Sequence, residues 1–180
     1  MLHFLFDTET TNLVHNSLQP LHKQPAIIEL YGMLLEEKRG KFKKVDEFET
    51  YVNPKMNINE EVTKITGITQ ADVKDAPTFR MIEPEVTKII GRSGIVVAHN
   101  LSYDMQVIDF EFLRLNRKIT WPALRICTVE ATEHFKGHRL NLTALHTHLF
   151  GEGFPKAHRA RNDVEAMGRC YIELKKRGEF

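Results

Sequence analysis

The chain has 180 residues, of which 42% are hydrophobic and 27% charged, and its formal net charge at pH 7 is +1. This length fits one domain with a substantial core, and the composition is ordinary for a globular protein. The near-neutral charge argues against a protein that coats nucleic acid, whereas an enzyme that grips only a chain end needs to neutralise few phosphates.

Two further classes of protein are disfavoured by the sequence. No apolar run approaches the ~20 residues that span a bilayer, and the apolar start at residues 1–6 is too short for a signal peptide. Cys127 and Cys170 are the only cysteines, too few for a disulfide framework. We therefore expect a cytoplasmic protein that does not act at a membrane.

Apolar runs and helical periodicity predict strands and helices that alternate after an early group of strands. Strands are expected at 2–6, 26–35, 41–52, 94–98 and 124–127, and residues 12–25 read as a loop. Helices are expected as short pieces within 53–77, then at 79–90 despite Pro84, at 102–115 with Ser102 as N-cap, and at 128–135, 141–150 and 160–175. The pattern predicts one α/β domain over residues 1–180, with a mixed sheet flanked by helices.

Asp7 and Glu9 stand at the end of the first predicted strand. Side chains alternate across a strand, so these two carboxylates share a face and can reach one small object. Neighbouring carboxylates raise one another's pKa unless a cation lies between them. The alternative for this pair is a solvated strand end, because exposed acidic residues are common.

Two more aspartates fall at the starts of predicted helices. Asp104 lies on the core-facing stripe of its helix, with Val107 and Ile108, where an unpaired carboxylate is costly. Asp163 opens the last helix, five residues after His158, and a histidine suits a general base near pH 7. The alternative for both aspartates is a favourable interaction with the helix dipole.

Taken together, the four carboxylates indicate one site, because strand ends and helix starts are where α/β sheets build their sites. Four carboxylates without compensating basic residues nearby predict bound divalent cations. Ligands that are all oxygen favour Mg²⁺ or Mn²⁺ over zinc.

Three segments, in this order, resemble the motifs of the DEDD exonuclease superfamily, which has a ribonuclease H-like fold. Residues 6–11 (FDTETT) are similar to the first motif, and residues 97–104 (VAHNLSYD) to the second. His158 with Asp163 resembles the third motif of the subgroup that uses histidine, called DEDDh. Spacer segments 67–69 and 77–79 are also similar, so the resemblance extends from about Leu2 to about Leu174. It is greatest to the proofreading epsilon subunit of bacterial DNA polymerase III and its stand-alone or viral relatives.

The resemblance implies a hydrolase that releases nucleoside 5′-monophosphates from the 3′ end of DNA, at single-stranded or mismatched ends. Asp7, Glu9, Asp104 and Asp163 would hold two metal ions. His158 and one metal would generate the attacking hydroxide, and the second metal would stabilise the leaving 3′ oxygen. A DNA polymerase is the protein partner that the resemblance suggests, in a bacterial cell or in the host cytoplasm of a virus.

Six residues are expected to contact the substrate. The resemblance places Thr8 and Thr10 near the terminal nucleotide and Leu13 as an apolar wedge between the last two bases. The remaining three are Asn100 of the second motif and two arginines beside His158 that can contact phosphates, Arg159 and Arg161. Asn12 and Thr66 depart from the family pattern, which usually has glycine and often histidine there.

Three alternatives remain at this point. An RNA 3′-end trimmer of the oligoribonuclease or ribonuclease T type would use the same chemistry. An inactive exonuclease-like module could bind a polymerase complex, although all five expected catalytic residues are present. A zinc-stabilised domain is disfavoured, because the histidine pairs 134/138 and 146/148 have no nearby thiolate. Trp121 is expected to be a core or loop anchor rather than a base-stacking platform.

Overall fold

The computed structural model describes residues 1–14, 18–155 and 157–180. Within them, a five-stranded sheet has the order β3-β2-β1-β4-β5. Strands β1 and β2 are antiparallel, as are β2 and β3, whereas β4 is parallel to β1 and β5 is parallel to β4. The strands are β1 Leu2–Thr10, β2 Ile27–Lys38, β3 Lys41–Tyr51, β4 Ile95–Ala98 and β5 Leu124–Cys127.

Helices flank this sheet, as the sequence predicts. They are α1 Glu60–Thr66, α2 Gln70–Lys74, α3 Phe79–Arg92, α4 Leu101–Arg114, α5 Thr128–Ala131, α6 Leu142–Phe150 and α7 Ala160–Arg177, with 3₁₀ turns at Leu21–Lys23 and Glu133–Phe135. The mixed α/β sheet is therefore confirmed. None of the helices in the described part of the chain is both long and apolar enough to cross a membrane.

The core lies where the apolar strands meet the apolar stripe of α7. Phe4, Leu5 and Phe6 of β1 are buried, and so are the predicted inward residues of α7, which are Val164, Met167, Cys170, Tyr171 and Leu174. Gly168 permits the close packing of α7 on β2, because a Cβ there would lie 2.4 Å from Cε of Met33. Burial on both sides of β1 thus holds the strand that carries Asp7 and Glu9.

The bounds of several elements differ from the prediction. Strand β1 continues to Thr10, so Asp7 and Glu9 lie inside a strand. Helix α4 begins at Leu101 with Asn100 as N-cap, so Ser102 is not the cap. The predicted helix at 128–135 is two pieces, α5 and a 3₁₀ turn. Pro84 lies on the exposed face of α3, where water can satisfy the carbonyl that loses its helical partner.

Trp121 anchors a loop, as predicted. Its indole Nε1 donates a hydrogen bond to Oδ1 of Asp109 at 2.8 Å, and its ring stacks on Phe6 with 5.8 Å between centroids. Phe6 immediately precedes Asp7 in β1, so the loop covers the apolar side of the strand next to the acidic residues.

Candidate active site

Three carboxylates of the predicted set meet at one point. Asp7 and Glu9 extend from β1, and Asp163 extends from the first turn of α7. One carboxylate oxygen from each lies within 4.8 Å of the other two, and all three side chains are partly buried. Oxygen donors at this spacing suit a hard divalent cation, so the residues fit the predicted metal site.

Asp104 is beside this group but is tied to the protein. Its side chain is 3% exposed, and its Oδ1 accepts hydrogen bonds from Thr8 N at 3.0 Å and Thr8 Oγ1 at 2.7 Å. Among the described residues the metal-spaced group therefore contains three carboxylates rather than the four predicted. Asp104 still acts on the group, because its charge raises the pKa of Asp7 after burial, the larger cause.

The four carboxyl groups destabilise one another's ionised forms. Burial, followed by the neighbouring carboxylates, raises the pKa of Asp7 far above its ordinary range. The pKa of Glu9 rises to about 8, chiefly by burial and then by Asp163 and Glu29. Burial also raises the pKa of Asp104 to about 7 and that of Asp163 to about 6. A cation between the groups would relieve this repulsion.

His158 lies next to the carboxylates, at the junction of two cavities. Its backbone N–H donates to Oδ2 of Asp163 at 2.9 Å, and its φ of 66° is in the left-handed region. The side chain is exposed and lines both cavities. Loop geometry and helix α7 thus bring His158 to the same place as the acidic group.

The larger of the two cavities, about 340 Å³, is named here the Leu13 cavity. Its polar side is formed by Thr8, Glu9 and Thr10 of β1. Leu13, 64% exposed, and Ile65, 59% exposed, line the same cavity. Exposed apolar side chains beside an acidic cluster provide a surface on which a flat aromatic base can lie.

The smaller cavity, about 250 Å³, is lined by Asp7, His99, Asn141 and Asp163 among others. Burial lowers the pKa of His99 to about 4, so the ring is neutral. Nε2 lies 3.1 Å from the Leu140 carbonyl, which can only accept, and Nδ1 lies 2.8 Å from Thr128 Oγ1. His99 therefore braces the loop that forms this wall of the cavity.

Three of the predicted substrate residues, Thr8, Thr10 and Leu13, line the Leu13 cavity, but two of them already have hydrogen-bond partners in the protein. Leu13 presents its side chain there, but the Thr8 hydroxyl is engaged by Asp104, and the Thr10 hydroxyl by Asn12 and Tyr103. Asn100 is the exposed N-cap of α4, with a φ of 80°. Its contact with substrate stays a prediction.

The two predicted phosphate-binding arginines each pair with a glutamate of the protein, and their contact with phosphate stays a prediction. Nη2 of Arg159 lies 2.8 Å from Glu29 Oε1 and donates to Tyr51 Oη at 2.7 Å. Arg161 pairs with Glu49 and lies over the Tyr31 ring, 4.6 Å from its centroid. The sequence places both arginines beside His158 but gives no sign of their partners, which are carboxylates of strands β2 and β3.

No zinc-type group forms from the histidine pairs in the described parts of the chain, where the one group with metal-ligand spacing is the acidic one. His134 Nε2 lies 3.3 Å from Glu179, and buried His146 lies with Nδ1 2.7 Å from the carbonyl of Glu152. The zinc-stabilised domain is thus unsupported.

Comparison with known families gives the assignment. A family model described as exonuclease, RNase_T, matches residues 4–171. The chain belongs to this exonuclease family. Its relatives include the DNA polymerase III PolC-type protein of Caldanaerobacter subterraneus, 30% identical over 174 residues, and the DNA polymerase III epsilon subunit of Buchnera aphidicola, 35% identical over 115 residues. The predicted resemblance and the class of hydrolytic enzyme are confirmed.

The match covers much more of this chain than of either relative. It covers 94% of this chain and 11% of the PolC-type protein, and 64% of this chain and 47% of the epsilon subunit. The exonuclease thus spans about a tenth and about half of these two proteins, respectively.

Solved structures share the fold of the exonuclease. The nuclease domain of 3′hExo, a DEDDh family member bound to rAMP, matches with a TM-score of 0.76 at 20% identity, over 98% of this chain and 92% of that one. Exonuclease X in complex with 5′ overhanging duplex DNA matches with a TM-score of 0.68 at 23% identity, over 98% and 93%. The ribonuclease H-like fold predicted from the motifs is confirmed.

Glu29 is a residue of the site that the sequence analysis missed. It lies opposite Glu9 in the β1–β2 register and is 3% exposed. Its carboxylate accepts from the Ala160 backbone N–H at 2.9 Å and from the guanidinium of Arg159. Glu29 therefore fixes the start of α7, and with it Asp163. A single acidic residue within the apolar run of β2 was the available signal.

The raised pKa of Glu9 predicts a pH-dependent loss of stability in the metal-free exonuclease. The folded-state pKa, about 8, lies above the ordinary 4.5, so the folded state keeps a proton that the unfolded state has released. The resulting stability is complete below about pH 4.5 and is lost as the pH rises through about 8. In EDTA, Glu9→Gln should therefore raise the free energy of unfolding by about 2–4 kcal/mol at pH 8.5 and very little at pH 5.

Urea unfolding of both proteins at the two pH values measures this difference. Glu60→Gln, at an exposed position in α1, is the control and should change stability by less than about 0.5 kcal/mol at either pH. A gain for Glu9→Gln that is equal at pH 5 and pH 8.5 would contradict the assigned repulsion.

Replacement of Glu29 should destabilise the exonuclease more than replacement of Glu49. Glu29→Gln weakens a buried, charge-assisted set of hydrogen bonds, with an expected cost of about 1.5–3 kcal/mol. Glu49→Gln weakens an exposed pair with Arg161, with an expected cost of about 0–1 kcal/mol. Urea unfolding at pH 5 is the suitable measurement, because the four site carboxyls then hold protons and relief of their repulsion does not offset the loss. Equal costs would argue against Glu29 as the tether of α7.

Proposed function

We propose that the exonuclease hydrolyses phosphodiester bonds at the 3′ end of DNA, at single-stranded or mismatched ends, and releases nucleoside 5′-monophosphates. The observation that carries the proposal is the convergence of Asp7, Glu9 and Asp163, with oxygens within 4.8 Å of one another, at the edge of the Leu13 cavity. An acidic cluster beside a cavity of about 340 Å³ suits a reaction at the phosphate of one terminal nucleotide.

The proposed cofactors are two divalent cations, Mg²⁺ or Mn²⁺, held by Asp7, Glu9, Asp104 and Asp163. When bound, they supply positive charge for the phosphoryl and leaving oxygens and lower the pKa of the attacking water. The carboxylates bind and orient the cations, and the hydrogen bonds from Thr8 to Asp104 leave its other oxygen, Oδ2, for this purpose.

His158 is the proposed general base. Its position at the junction of the two cavities lets the imidazole take a proton from water on one side of the scissile phosphate. The backbone hydrogen bond from His158 N to Asp163 Oδ2 keeps the loop next to the acidic cluster. Because the side chain is exposed, the proton can pass to solvent after each turnover.

The relatives favour DNA and a role beside a polymerase. The PolC-type and epsilon relatives are both DNA polymerase III proteins. Leu13 and Ile65 offer an apolar surface to a base, and such a surface accepts any base. We infer that the exonuclease removes nucleotides for a DNA polymerase, and a cytoplasmic location is part of the same proposal.

Asp7→Ala should abolish cleavage without unfolding the chain, because it removes a proposed metal ligand and relieves carboxylate repulsion. The measurement is degradation of 5′-labelled single-stranded DNA with Mg²⁺, with Mn²⁺ and with EDTA. The wild type should give a ladder that shortens from the 3′ end and disappears in EDTA. Asp75→Ala, at an exposed position after α2, is the matched control and should retain the ladder.

Other outcomes of this assay separate the alternatives. Wild-type turnover by Asp7→Ala would overturn the assignment of the site. RNA hydrolysis hundreds of times faster than DNA hydrolysis would replace the proposed substrate with an RNA 3′ end. Intact DNA and RNA under every metal condition would indicate the inactive binding module, and calorimetric titration with Mn²⁺ would then test whether the carboxylates bind metal at all.

His158→Ala should lower kcat by about two to four orders of magnitude, the usual contribution of a general base. The exposed His138, whose Nδ1 lies 3.1 Å from the Lys136 carbonyl oxygen, provides the control His138→Ala, with an expected change below twofold. The measurement is kcat as a function of pH with saturating single-stranded DNA. Identical pH profiles for the wild type and His158→Ala would remove His158 from the mechanism.

A further inference from the structure

Tyr103 makes a polar contact that the proposed chemistry does not require. It lies in the first turn of α4, next to Asp104, and its ring packs against the main core. The hydroxyl lies 2.7 Å from Thr10 Oγ1 and 3.2 Å from the Asn12 carbonyl oxygen. Thr10 Oγ1 also donates to the Asn12 carbonyl at 2.7 Å. Three oxygens therefore form a triangle at the end of β1.

The hydrogen bonds of the triangle converge on the carbonyl oxygen of Asn12. Its three contacts share two hydroxyl protons, and the Asn12 carbonyl is the one member that can only accept. A tyrosine hydroxyl keeps its proton near neutral pH, so Tyr103 is available as a donor. Tyr103 can thus donate to Thr10, which donates to Asn12, or donate to Asn12 directly.

The triangle determines where Leu13 lies, because Asn12 immediately precedes it. The Asn12 side chain accepts a hydrogen bond from Leu13 N at 2.9 Å. Leu13 itself is 64% exposed, so core packing contributes little to its position. The backbone around Asn12, held by Tyr103 and Thr10, is what keeps the Leu13 side chain at the edge of the cavity.

We propose that the Tyr103 hydroxyl is a positioning group for Leu13 and thereby sets the affinity of the exonuclease for the last two bases of the strand. This inference rests on the proposed function and on the predicted place of Leu13 as a wedge between those bases. Tyr103 acts on binding, while Asp104, its neighbour in α4, acts on the chemistry. The first turn of α4 thus carries one residue for substrate binding and one for the reaction.

The test is a double-mutant cycle with Tyr103→Phe and Leu13→Ala on 5′-labelled single-stranded DNA. Tyr103→Phe should raise KM about three- to tenfold, the value of one intramolecular hydrogen bond, and leave kcat within twofold of the wild type. In the Leu13→Ala background the same change should alter KM by less than twofold, because the hydroxyl then has no wedge to position.

A second substrate tests the contribution of Leu13 separately. A strand with an abasic penultimate nucleotide has no second base for Leu13 to contact, so wild type and Tyr103→Phe should show the same KM on it. Thr10→Val removes the other hydroxyl of the triangle and should reproduce the effect of Tyr103→Phe on normal DNA. Thr10→Ser keeps the hydroxyl and should raise KM less than Thr10→Val does.

Several results would overturn the inference. Effects of Tyr103→Phe and Leu13→Ala that multiply would indicate direct contact between Tyr103 and the nucleotide. A fall in kcat with unchanged KM would place Tyr103 in the chemistry. Urea midpoints identify any variant that loses the fold. If Tyr103→Phe does so, the comparison of KM between Thr10→Val and Thr10→Ser tests the inference instead.

Failure of the proposed function gives a different result. A wild type that degrades neither DNA nor RNA contradicts the activity, and the same cycle is then measured as Kd by fluorescence anisotropy of a labelled single strand in EDTA. Non-additive Kd values would support the positioning of Leu13 even then, and additive values would overturn it.

Discussion

Repulsion between carboxylates is the constraint on which the site depends. One carboxylate oxygen each of Asp7, Glu9 and Asp163 lies within 4.8 Å of the other two at a partly buried edge of the sheet. Burial, with added repulsion from neighbouring carboxylates, raises the pKa of each residue. Such a group is unfavourable for folding near neutral pH, because each ionised carboxylate loses hydration and faces like charges. The surrounding structure has to hold it together without neutralising it.

Hydrogen bonds between elements distant in sequence provide this support. Thr8 ties Asp104 of α4 to β1, and Glu29 ties the start of α7 to β2 through Arg159 and the Ala160 N–H. The sheet register places Glu29 beside Glu9, so both tethers end on the two strands at the centre of the site. Helices α4 and α7 are therefore set relative to β1 by polar contacts as well as by core packing.

Local patterns were sufficient for much of the fold and for the acidic residues, whereas contacts between distant segments were not. Apolar runs identified β1, β2 and β4, because strands buried on both faces need continuous apolar residues. Motif spacing identified Asp7, Asp104 and Asp163, because the ends of elements meet at one edge of the sheet. The pairing of Arg159 with Glu29, 130 residues apart, has no local signature. The prediction that Arg159 contacts phosphate was therefore made without this ion pair.

The same pairing also determines which charges surround the acidic cluster. In the described part of the chain, none of the ion pairs involves Asp7, Glu9, Asp104 or Asp163, and the nearby guanidiniums of Arg159 and Arg161 are held by Glu29, Glu47 and Glu49. Because Glu29 holds Arg159, the cluster has no paired cation in the described part of the chain, and a bound divalent cation would relieve the repulsion that raises these pKa values.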